Sequence, residues 1–121
     1  MMKKILVIDD DAAVRESLSD CLAMDGFEVL SAPNGREGLR ICEESSPDVV
    51  LTDIVMPDMD GIEVVQALRD LHPACKVIAM SGGWRLGTSD FLRIAKSLGA
   101  DATLAKPFDL DVLAATISSL A

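Results

Sequence analysis

Five short runs rich in apolar residues recur along the chain, and a polar or small residue closes each. They lie at Ile5–Ile8, Phe27–Ala32, Val49–Thr52, Lys76–Ser81 and Asp101–Ala105. Runs of this length, rich in Val and Ile and lacking regular polar alternation, read as strands covered on both faces. Between them the apolar spacing changes to that of helices. Asp11 is placed to cap a helix whose inner set is Val14, Leu18, Cys21 and Leu22, with Gly26 just past its end. Asn34 opens a second helix with Leu39, Ile41 and Cys42 inward, halted by Ser45-Ser46-Pro47. Residues Ile62 to His72 form a third, with Val64, Val65, Leu68 and Leu71 apolar and Pro73 behind it. Thr88 or Ser89 caps a fourth that carries Phe91, Leu92, Ile94, Ala95 and Leu98 and ends at Gly99. Asp109 caps the last, with Leu110, Leu113, Ile117 and Leu120 on one face.

Strands and helices that alternate five times through short turns predict an α/β fold, a five-stranded parallel sheet doubly wound with helices on both faces. Right-handed crossovers then bring the carboxyl end of every strand to one edge. Asp9, Asp10, Asp53, Ser81 and Lys106 all stand at strand ends, so they converge there. Ligands of open α/β sheets gather at that edge.

Composition narrows the function classes. The chain has 121 residues, suited to one domain over 1–121, with no repeat, linker or attached output domain expected. Phe, Trp and Tyr are scarce, so the core falls to Val, Ile, Leu, Ala and Met. A formal charge of -9 argues against a nucleic-acid partner, which needs clustered Lys and Arg. No apolar run is long enough for a secretion signal or a membrane span, and a cytoplasmic location is expected. Cys21, Cys42 and Cys75 follow no disulfide or zinc spacing and read as small buried hydrophobes. Met24, Met59 and Met80 read as core filling, and His72 as a surface residue at a helix carboxyl end.

Three carboxylates brought together repel one another by roughly 4 kcal/mol per pair at about 4 Å and an effective dielectric near 20. They ask for a cation, and a ligand set of oxygens alone points to a hard ion such as Mg²⁺. Lys106 adds a positive charge and Ser81 a hydrogen-bond donor. Together they resemble a clamp for a transferring phosphoryl group, with Asp53 as the nucleophile.

The acidic pair Asp9 and Asp10, the D-x-x-M-P-x-M-D-G stretch from Asp53 to Gly61, Ser81 after the fourth strand and Lys106-Pro107-Phe108 after the fifth carry a family resemblance. The chain resembles, over almost its whole length, the receiver domains of two-component response regulators, single-domain chemotaxis regulators among them. That resemblance implies a flavodoxin-like fold with strand order 2-1-3-4-5. It implies that Asp53 accepts phosphate from a sensor histidine kinase or a histidine phosphotransfer protein. By the same resemblance Asp9, Asp10, Asp53 and the backbone carbonyl of Val55 hold Mg²⁺, Ser81 binds a phosphoryl oxygen, Lys106 pairs with Asp53 or the phosphate, and the Lys106-Pro107 bond is cis. The only catalysis implied is of its own phosphorylation and dephosphorylation. The output face would be helix 4, strand 5 and helix 5, addressed to a separate protein target or to a relay, with no nucleic acid or membrane involved.

Two features depart from that pattern. Thr103 stands where the family commonly has Tyr or Phe, and the loop Gly82 to Gly87 is a few residues longer than in compact chemotaxis receivers. Trp84 in that loop is a candidate to fill the space that a ring at position 103 would take. Asp11 reads as a helix cap rather than a further metal ligand. Gly82-Gly83 is no phosphate loop, since neither a Walker lysine nor dinucleotide spacing follows. The rival enzymatic reading is a small haloacid-dehalogenase-like phosphatase with Asp9 as nucleophile, which leaves Asp53 unexplained.

Overall fold

A computed structural model describes residues 3–54, 56, 60–82, 88–106 and 109–120. Among the described residues five strands alternate with five helices: β1 Lys4–Ile8, α1 Ala12–Met24, β2 Glu28–Ala32, α2 Gly35–Ser45, β3 Val49–Asp53, α3 Gly61–Leu71, β4 Lys76–Gly82, α4 Thr88–Ser97, β5 Ala102–Lys106 and α5 Leu110–Leu120. The strands form one parallel sheet in the order β2-β1-β3-β4-β5, as expected.

The sheet sorts its residues by parity. Side chains alternate across a strand, so Leu6, Ile8, Val50, Val77 and Ala79 enter one apolar cluster with Cys42, Val64, Val65, Leu68 and Ala95 of α2, α3 and α4. Ile5, Val7, Val49, Leu51, Ile78 and Met80 enter the other, beneath Leu18 and Leu22 of α1 and Leu113 and Ile117 of α5. Both faces of the central strands are therefore dry, which explains why their sequences run apolar without a break.

Helix punctuation follows the predicted residues at α1 and α2, while the side chains of Thr88 and Ser89, predicted to cap α4, lie outside the described residues. The Asp11 side chain accepts from the backbone N–H groups of Ala13 and Val14, and Asn34 accepts from that of Glu37. Gly26 and Gly99 take φ of +93° and +119° behind α1 and α4. Gly38 was not among the predicted inner residues of α2, yet a Cβ there would lie 2.3 Å from Ile8 Cδ1. Small size lets α2 approach β1, a requirement that an apolar count does not register.

Four residues assigned to the interior are exposed. Leu71 is 60% exposed in the last turn of α3, and Met24 is 87% exposed at the end of α1. Ile94 of α4 and Leu110, the first residue of α5, are also exposed. Periodicity identifies a helix face but not where along it the packing neighbour stops, and three of the four are terminal-turn residues. Met80, Cys42 and Cys75 are buried as expected, whereas Cys21 is only half-buried. His72 follows α3 as its capping residue, donates its backbone N–H to Leu68, and sets Nε2 3.3 Å from Glu43 Oε1. Val55, Pro57, Met59, the Gly83–Gly87 loop with Trp84, Pro107 with its peptide bond to Lys106, Phe108, and the side chains of Phe91 and Leu92 lie outside the described residues.

Candidate functional site

β1 lies between β2 and β3, so the chain reverses its direction of travel across the sheet between β1 and β3. Reversal leaves a crevice at the carboxyl ends of those strands. Asp9 follows β1 directly, Asp53 is the last residue of β3, Ser81 precedes the last residue of β4, and Lys106 ends β5. One carboxylate oxygen each from Asp9, Asp10 and Asp53 lie within 4.8 Å of one another. The three carboxylates therefore converge as their strand-end positions predicted.

Their surroundings differ. Asp9 is fully buried and held on every side: its N–H donates to the Ala32 carbonyl, Oδ1 accepts from the Asp11 N–H at 2.9 Å, and Oδ2 accepts from Lys106 Nζ at 2.9 Å. Lys106 Nζ also stands 3.5 Å from Asp53 Oδ2. The ammonium thus stands nearer Asp9 than Asp53, a pairing that the sequence reading did not include. Asp53 is nearly buried, and Asp10 is exposed.

Two further features hold Asp53. Thr52 is buried and donates its hydroxyl to the Asp53 carbonyl at 3.0 Å. Gly61, the first residue of α3, donates its N–H to the Ile54 carbonyl at 2.7 Å. A Cβ on Gly61 would fall 2.4 Å from the Asp53 carbonyl oxygen, so only glycine permits α3 to begin this close to the site. Asp60 caps the same helix by accepting from the Glu63 N–H at 3.0 Å. Turn-forming character was legible at Asp60-Gly61, but this contact with Asp53 was not.

Ser81 is fully buried, and among the described residues its hydroxyl has no hydrogen-bond partner. In the parallel register Met80 pairs with Asp53, so Ser81 stands one residue beyond it on the adjacent strand. Leaving a buried hydroxyl unpaired costs about 1–3 kcal/mol. A donor so placed suits an anion arriving at Asp53. Asp11, by contrast, serves the helix, since its Oδ1 takes the N–H groups of α1. Val55 lies outside the described residues.

Comparison with known proteins agrees with this geometry. The model of the response regulator receiver domain matches residues 5–118. The sporulation initiation phosphotransferase F of Bacillus subtilis is 36% identical over 92% of this chain and 87% of its own length. The response regulator MprA of Mycolicibacterium vanbaalenii is 40% identical over 99% of this chain, which spans about half, 51%, of that relative. A receiver domain from Clostridium thermocellum superposes with a TM-score of 0.92 at 36% identity, covering 98% of this chain and 94% of that one. With strand order, carboxylate cluster and sequence in agreement, the chain belongs to the response regulator receiver domain family of two-component signalling.

Proposed function

We propose that the chain is one receiver domain over residues 1–121, with Asp53 as the phosphoacceptor and a phosphohistidine of a sensor kinase or phosphotransfer protein as donor. An Asp53 carboxylate oxygen attacks phosphorus, and the P–N bond breaks with its electron pair passing to the imidazole nitrogen. An acyl phosphate remains on Asp53. The observation that carries this reading is the buried hydroxyl of Ser81, unpartnered among the described residues, beside the Asp53 strand end. A phosphoryl oxygen on Asp53 would give that hydroxyl its acceptor.

The donor set fits Mg²⁺, because three clustered carboxylates supply oxygen ligands and one ammonium does not neutralise them. Asp9, Asp10 and Asp53 would hold it, with the Val55 carbonyl as a further oxygen. Bound there, the ion supplies charge neutralisation for the phosphoryl group. Lys106 stands near enough to Asp53 to exchange Asp9 for a phosphoryl oxygen. The α4, β5 and α5 face would pass the signal to a separate protein or along a relay, in the cytoplasm. The protein then acts as a switch and not on a substrate of its own.

The test is phosphorylation by acetyl phosphate with Mg²⁺, followed by borohydride trapping and peptide mass spectrometry. Label is expected on Asp53 and absent from Asp53→Ala. Ser81→Ala and Lys106→Ala should still accept phosphate but transmit poorly. A Mg²⁺-dependent acyl phosphate that persists in Asp53→Ala would overturn the assignment.

A further inference from the structure

Arg15 lies in α1, six residues beyond Asp9, and its Nη1 donates to the Asp9 carbonyl oxygen at 2.8 Å. A guanidinium close to three clustered carboxylates would ordinarily pair with one of them. Among the described residues Arg15 forms no ion pair. Its donor goes instead to the backbone, at the Asp9 carbonyl.

The carbonyl it holds belongs to the peptide that joins Asp9 to Asp10. That peptide is planar, so fixing its carbonyl fixes the bond from which the Asp10 residue departs. Asp9 has other anchors, through its N–H and both carboxylate oxygens. Asp10 has none: it is exposed, and among the described residues no hydrogen bond or ion pair engages its carboxylate. Its direction is inherited from the backbone.

Resting on the magnesium role proposed above, we propose that Arg15 is a positioning residue for divalent-cation binding. By clamping the Asp9-Asp10 peptide it presets the Asp10 carboxylate without occupying any carboxylate oxygen that the metal needs. A lysine would keep the positive charge but lose the planar fork that fixes the geometry.

The experiment titrates Mg²⁺ into wild type, Arg15→Ala, Arg15→Lys and Asp10→Asn, reading dissociation constants by calorimetry and by thermal shift. Losing a residue that orients a ligand weakens metal affinity by about 10-fold or more. That loss is expected for Arg15→Ala, with Arg15→Lys between it and wild type. In acetyl phosphate reactions the Mg²⁺ concentration for half-maximal rate should rise in Arg15→Ala, while the rate at saturating Mg²⁺ returns to that of wild type. A merely structural role would also lower the rate at saturating Mg²⁺. Unchanged Mg²⁺ affinity in Arg15→Ala, with Asp10→Asn unable to bind, overturns the role of Arg15 and leaves the cluster's intact. Wild type that does not bind Mg²⁺, or Asp10→Asn that binds it equally well, overturns the reading of the cluster and this proposal with it. Should Arg15→Ala fail to fold, an Arg15→Lys constant equal to that of wild type overturns the proposal.

Discussion

Asp10 is the exposed carboxylate of the cluster, and substituting it tests the electrostatics without opening a cavity. Asp10→Asn removes repulsion from Asp9 and Asp53, so the metal-free variant should melt above metal-free wild type. Wild type should gain about 2.7 kcal/mol when Mg²⁺ stands at a hundred times its dissociation constant, and Asp10→Asn should gain almost nothing. Equal Mg²⁺ responses in denaturant titrations would place the metal elsewhere. Gly61 tests the opposite property, space. Because a Cβ there meets backbone rather than a flexible side chain, Gly61→Ala should destabilise by about 1–3 kcal/mol. It should also slow phosphorylation of Asp53, and a variant with unaltered stability and rate would show that α3 can retreat freely.

At the scale of elements, the caps link local chemistry to the site. Asp60 holds the first turn of α3, the helix whose next residue presses on Asp53. Asp60→Ala is expected to cost about 1 kcal/mol in chemical denaturation, and no loss would mean that the helix start is held by Gly61 alone. Strands and most caps were legible in the sequence because each rests on a local signal, unbroken apolar runs or Asp, Asn and Gly at helix ends, whereas the strand order was implied by the family resemblance. Convergence of Asp9, Asp53, Ser81 and Lys106 was legible too, since a parallel sheet leaves strand ends no other edge. What the sequence hid was distance. Gly38 against Ile8, Gly61 against Asp53 and Arg15 on the Asp9 carbonyl depend on how closely two elements approach, and no spacing rule encodes that. Nor did periodicity reveal that α1 outruns its neighbours at Met24.

For the molecule as a whole, buried thiols give stability a dependence on pH. Burial pushes the Cys42 thiol up to about 12 and the Cys75 thiol up to about 11, Arg69 opposing the second shift in part. In the unfolded chain both titrate near 8.5. Folding thus favours the protonated thiol, so this contribution is complete below about pH 8.5 and is lost as pH rises toward the folded values. Urea midpoints should fall between about pH 9 and pH 11, with a slope of up to about 1.4 kcal/mol per pH unit for each thiol. Cys42→Ala should show a shallower fall, and an equal slope would assign the effect to other groups.

The sorting of strand residues by parity turns the sheet into a partition wall between two compartments. Ile5 and Ile8 belong to one strand yet face opposite rooms. Ile5→Val and Ile8→Val should each cost about 0.5–1.5 kcal/mol, and the double variant should equal their sum within about 0.5 kcal/mol. A larger coupling would mean that the wall bends under load. If it does not, repacking on the α1 and α5 side goes unfelt beneath α2, α3 and α4, and each side can drift in sequence without consulting the other. The rim carrying Asp9, Asp53, Ser81 and Lys106 is where such separate histories still have to agree.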